Sequence, residues 1–184
     1  MKFADAQAWS KWLHANHDKA DGVWLEFAKK ASGTTTVSYA EALEVALCYG
    51  WIDGQVRRLD ESYYQQMFTP RTATSIWSKV NRAKALALIA AGRMQPAGLA
   101  AVEQAKKNGR WEAAYDGQSD GAVPEELTEA LKTSPSATEF FATLDRKNRY
   151  AMIFRIQTAK KPETRLERAR KFVAMLEREE KFHP

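Results

Sequence analysis

The chain has 184 residues, 45% of them hydrophobic and 28% charged, with a net charge of +5 and a single cysteine. That length holds about one domain with a sizeable core, the balance excludes disorder as the native state, and the lone Cys48 excludes an internal disulfide. No apolar run reaches the ~20 residues of a membrane span, and the charged N-terminal stretch lacks the apolar core and cleavage site of a signal peptide, so the cytoplasm is the expected location.

Asp5 is the expected N-cap of a first helix running to about His17, with Trp9, Trp12 and Leu13 on one face. From Gly22 a strand follows, in which Val23, Leu25 and Phe27 alternate with Trp24, Glu26 and Ala28. Lys29 and Lys30 end it, and Ser32-Gly33 turns the chain. Ser38-Tyr39-Ala40-Glu41 reads as a capping box opening a second helix, with Gly50 as its stop. Two strands are predicted next, Trp51 to Arg58 and Tyr63 to Thr69, joined by Asp60-Glu61-Ser62 and closed by Pro70.

After Ser75 the pattern is helical. Trp77, Val80, Ala87, Leu88 and Ala91 form one stripe ending at Gly92. A further helix is predicted from Pro96 to Asn108, with Gly109 as its stop. Asp116 to Gly121 is the expected hinge. Pro124, Pro135 and Pro162 each fit the first position of a new helix, with Ser134 capping the middle one. The last helix places Leu166, Ala169, Phe172, Val173 and Leu176 on one face. The predicted class is α+β: a small antiparallel sheet with helices over residues 1–75, then a mostly helical lobe over 76–184, together one compact unit.

Strict alternation puts Ile52 and Val56 on an apolar sheet face with Val23, Leu25, Phe27, Tyr64 and Phe68. Trp51, Asp53, Gln55 and Arg57 then lie on the opposite face with Trp24, Glu26, Gln65, Met67 and Arg71. Glycine beside tryptophan marks backbone that passes close to something. Under this geometry the helical part roofs the mixed face and leaves a cleft. Its expected ligand-binding residues are Lys29 and Arg71 for an anionic group, Trp51 and Trp77 as apolar walls, Asp53 for polarity and Arg57 beside it.

Other groups carry blander readings. Cys48 falls on the core side of its helix and reads as a small hydrophobe. His14 and His17 lack a third ligand, so no metal site and no cofactor is expected. Residues 146–171 hold ten basic and two acidic side chains. Tyr150 and Phe154 fit core spacing there, so a solvated face is expected rather than a nucleic-acid interface.

Several runs then identify a resemblance. Ala46-Leu47-Cys48-Tyr49-Gly50-Trp51-Ile52-Asp53-Gly54, Phe68-Thr69-Pro70-Arg71, Trp77-Ser78-Lys79-Val80-Asn81, Gly92 to Gly98, Gly109-Arg110-Trp111 and Ala159 to Arg165 together resemble the YdeI/OmpD-associated, or bacteriocin-protection, family along nearly the whole chain. The resemblance implies tolerance of bacteriocins or antimicrobial peptides and association with an outer-membrane porin. The missing export signal predicts that the chain does not meet a porin in the periplasm.

The expected function is thus a non-enzymatic cytoplasmic binding protein linked to stress or bacteriocin resistance, with a small anionic or peptide ligand. The alternatives are an enzyme acting on a small anionic metabolite, with Asp53 as acid/base, and nucleic-acid binding through the basic C-terminal half.

Overall fold

The computed structural model describes residues 1–116 and 122–184; the part of the expected hinge at 117–121 lies outside the described residues. Among these the elements are helices and one three-stranded antiparallel sheet, as the α+β reading expects: α1 (Ala6–Asn16), β1 (Val23–Ala28), α2 (Tyr39–Cys48), β2 (Trp51–Arg58), β3 (Tyr63–Pro70), α3 (Lys79–Ala90), α4 (Pro96–Lys107), α5 (Glu125–Lys132), α6 (Pro135–Thr143), α7 (Arg146–Gln157) and α8 (Pro162–Leu176). The strand order is β1-β3-β2. No helix among the described residues is long and apolar enough to cross a membrane.

Two compact units emerge. The first comprises residues 1–75 and 81–112; the second comprises 76–80 and 113–184. In the first, α1 and α2 cover one sheet face. Its core gathers Trp9 and Leu13 from α1, Leu25 and Phe27 from β1, Ala42, Leu43, Val45, Ala46 and Leu47 from α2, and Trp51 and Phe68 from the sheet. In the second, α5 to α8 bury Leu127, Leu131, Phe141, Met152, Ile156, Phe172 and Leu176 against one another.

Local chemistry fixes the helix starts. The Asp5 carboxylate accepts the Ala8 N–H at 2.8 Å, and Ser134 and Asp145 cap α6 and α7 in the same way. Pro135 and Pro162 sit in the first turns of α6 and α8, where their missing N–H is not needed. Pro124 is instead the residue just before α5.

The capping box of α2 is complete. The Glu41 carboxylate accepts the Ser38 N–H at 3.0 Å and the Ser38 hydroxyl at 2.7 Å, and the same hydroxyl oxygen accepts the Glu41 N–H. These hydrogen bonds from Ser38 hold the Glu41 carboxyl below its ordinary value of 4.5. A depressed folded value means the stabilisation is present above 4.5 and disappears as pH falls through the folded value. Comparing urea unfolding midpoints of wild type and Glu41→Ala, the gap should be widest at neutral pH and close as pH drops below 4.5. A gap that is the same in acid would refute the coupling.

Two helical faces differ from their sequence pattern. In α3, Ala85 and Leu88 are buried, whereas Val80 is 45% exposed and Ala87 and Ala91 are exposed, so of the expected stripe Leu88 and, just before the helix, Trp77 are buried and the rest is not. In α8, Ala169, Phe172, Val173 and Leu176 are buried as expected, but Leu166 is 45% exposed. Spacing marks an apolar face; only neighbouring elements decide how much of it is covered.

Candidate functional site

The two-sided character of the sheet is as the alternation predicts for β1 and β3. Val23, Leu25 and Phe27 are buried, and their partners Phe68, Gln66 and Tyr64 share their face. In β2 the alternation breaks. Asp53 pairs with Phe68, yet Val56 pairs with Gln66, with a register shift between them. The extra residue at Gly54-Gln55 is a β-bulge. It returns Trp51 and Asp53 to the face of Phe68 and sends Ile52 to the outer face; Val56 shares the Phe68 face by register but is 62% exposed, not buried there as the alternation predicts. The expectation that Trp51, Asp53 and Arg57 share the polar face is therefore corrected: only Arg57 lies there, opposite Gln65.

Gln66 holds the bulge. Its side-chain amide, 4% exposed, donates to the Gly54 carbonyl at 2.7 Å and lies 3.5 Å from the Asp53 carboxylate. Replacing it removes a buried donor and leaves that carbonyl to find water. Gln66→Leu should cost about 1–3 kcal/mol and shift the amide resonances of residues 53–56 more than those of α1. Unchanged resonances at the bulge would show that Gly54 alone enforces it.

Trp51 is fully buried. It meets Trp9 and Trp12 edge-to-face, with ring centroids at 6.4 and 6.0 Å, and its indole N–H donates to the His17 carbonyl at 3.1 Å. The Trp9 and Trp12 rings stack at 5.4 Å. Asp53 accepts the Tyr39 hydroxyl at 2.8 Å, tying β2 to the start of α2. On the outer face, the Arg57 guanidinium lies 4.0 Å above the Trp24 ring, and its Nε donates to Gln65, whose amide donates to Glu26.

Two clefts open in the first unit. One, of about 440 Å³, is lined by His17, Asp18, Tyr49, Gly50, Trp51, Pro70, Arg71, Thr72 and Ala73, closed by Ala97, Ala100, Ala101 and Gln104 of α4. The second, of about 520 Å³, holds Lys29 with Thr34, Thr36, Tyr39 and Tyr64. There Lys29 donates to the Asp60 carbonyl at 2.7 Å, and burial pushes the Tyr64 hydroxyl above its ordinary value. The structure thus brings Trp51 and Arg71 to one cleft and places Lys29 in another. Trp77 is buried in the second unit, where its carbonyl accepts the Tyr115 N–H at 3.0 Å.

The first cleft owes its shape to a close backbone approach. Gly50 has φ +74°, and a Cβ there would stand 2.8 Å from the Ala97 carbonyl oxygen. A Cβ on Gly98 would stand 2.2 Å from the Cys48 carbonyl oxygen. The glycine beside Trp51 does mark such an approach, to α4. The contribution of Gln104 carries no sequence signal of its own, and His17 reads only as a histidine near His14; the run of small residues along α4 is the one clue to the cleft.

Cys48 is buried, and desolvation raises its thiol. No cluster of His, Cys, Asp or Glu among the described residues could hold a metal. Several arginines of the basic block donate to backbone carbonyls. Arg149 donates to the Phe141 and Ala142 carbonyls, Arg155 to Ala151 and Arg165 to Ala159. Burial pushes the Tyr150 hydroxyl up to about 12, with Tyr115 beside it, as fits a packed ring.

The family model described as Domain of unknown function (DUF8412) matches residues 1–101, and that described as Bacteriocin-protection, YdeI or OmpD-Associated matches residues 120–179. The second is the family that the motif runs resemble. Of those runs only Ala159 to Arg165 falls within it; the runs from Ala46 to Gly98 fall within the first match, and Gly109-Arg110-Trp111 lies between the two. No curated protein and no solved structure gave a significant match.

Proposed function

Because the chain belongs to the family described as Domain of unknown function (DUF8412), and also carries a segment matching the Bacteriocin-protection, YdeI or OmpD-Associated model, we propose that it is a non-enzymatic cytoplasmic binding protein that supports bacteriocin or stress tolerance by holding a small anionic ligand in the Trp51–Arg71 cleft. The observation that carries this reading is Arg71 in a concave site of about 440 Å³, a size that suits a small molecule. A guanidinium offers planar, paired donors to a carboxylate or phosphate. Thr72 and Gln104 add neutral hydrogen-bonding groups, and Asp18 favours a ligand that is not uniformly negative. Trp51 is the buried support behind the site rather than a stacking face.

The test titrates the purified chain with citrate, phosphate, glutamate and a short acidic peptide, following tryptophan emission and melting temperature. At least one should raise the melting temperature, and Arg71→Gln should abolish that rise. No response to any of the four, or an equal response in Arg71→Gln, refutes the reading. In cells, wild type but not Arg71→Gln should restore bacteriocin survival to a strain lacking the gene.

A further inference from the structure

We propose that the groove between α5 and α8 in the second unit docks a basic amphipathic helix of a partner polypeptide. The groove holds about 350 Å³, and its floor is Ala130, Leu166, Val173 and Ala174. Leu166 is half-exposed although it shares the α8 face of the buried Ala169 and Val173, so the apolar stripe of α8 continues past the part that α5 covers. An apolar stripe left uncovered in a groove between two helices is the shape that receives a third helix.

Charge selects which helix. Glu126, Glu129 and Glu177 edge the groove, against Arg170 as the cation in its lining. This happens in a chain of net charge +5 whose residues 146–171 carry ten basic side chains and two acidic ones. A basic helix is therefore repelled by the 146–171 block and attracted at the glutamate edge of the groove, while an acidic helix meets the reverse. The carboxylates can change partners. Glu129 pairs with Lys132 at 2.6 Å and Glu126 with Arg165 at 3.9 Å, and the side chains of Glu129 and Lys132 are more than half exposed. Such pairs hold little free energy, so an incoming Lys or Arg can take their place.

The groove runs along the eight residues of α5, which suits an occupant of about two to three turns. Three or four aliphatic side chains at i, i+3, i+4 and i+7 would face Leu166 and Val173, with flanking cations on the three glutamates.

The experiment uses the full chain and two labelled designed peptides of about 14 residues, one of Leu and Lys and one of Leu and Glu with the same amphipathic spacing, read by fluorescence anisotropy. The Leu/Lys peptide should bind and the Leu/Glu peptide should not. E126K/E129K/E177K should weaken the first by at least about tenfold and admit the second. Because Lys at 126 would face Arg165, E129K/E177K serves as the milder variant and should weaken binding in the same direction. Leu166→Asp should abolish binding of the Leu/Lys peptide. Equal binding of both peptides, no binding of the Leu/Lys peptide, or full binding by E129K/E177K overturns the proposal. None of these outcomes depends on Arg71, so the two proposals fail separately.

Discussion

Trp51→Ala should lower the stability of the first unit by about 3–5 kcal/mol, with Trp51→Phe losing less than half of that. Trp51 is fully buried between Trp9 and Trp12 and makes ring contacts with both. Truncation opens a cavity that its neighbours close only in part, because Trp9 is itself tied by its indole N–H to the Ala42 carbonyl and stacks on Trp12. The His17 carbonyl also loses its indole donor. Against a total of about 5–15 kcal/mol for a typical domain, that leaves the unit near its threshold. Unfolding in urea, followed by circular dichroism and resolved into two transitions, should show the earlier shift for the first unit alone. A loss under about 1 kcal/mol would place Trp51 in a plastic core that refills the gap.

Gly98→Ala should destabilise by about 1–3 kcal/mol, opposite in sign to the usual effect. A glycine inside a helix ordinarily gains about 1 kcal/mol on becoming alanine, through backbone entropy. Here the added methyl carbon would stand 2.2 Å from the Cys48 carbonyl oxygen, 2.8 Å from its carbonyl carbon and 2.8 Å from Met94. Met94 is a flexible side chain that can move; the Cys48 carbonyl is backbone, and it already accepts the Gln95 N–H at 3.0 Å. So α4 must shift away from the end of α2. That shift widens the Arg71 cleft on its α4 side. Gly98→Ala should therefore melt earlier than wild type. A variant that melts later than wild type would show that α2 and α4 do not meet backbone to backbone.

Two of the expected cleft residues, Trp51 and Arg71, meet in one cleft, and the others do not. The pairing of Trp51 with Arg71 in one cleft follows from elements that the sequence marks well: the Gly50 stop before β2 and the Pro70 end of β3. Asp53 does not line that cleft; its partner is the Tyr39 hydroxyl at the start of α2. Arg57 carries the same period-2 label as Asp53 and ends on the other face, because one inserted residue reverses the parity between them. Lys29 reads as an anion contact by charge alone, and the fold sets it across from the Asp60 carbonyl of the β2–β3 turn.

The sequence by itself determined the local architecture: the caps at Asp5, Ser38 and Ser134, the glycine stop of α2, and the inward face of β1 and β3. Each depends on hydrogen bonds and backbone preferences spanning a few residues, so composition and spacing suffice. Tertiary structure alone decided the bulge that Gln66 holds in β2, the backbone contact of α2 with α4 through Gly50 and Gly98, and the open stripe at Leu166. Those depend on what a distant segment places opposite a residue, and no period along one strand or helix encodes its neighbour.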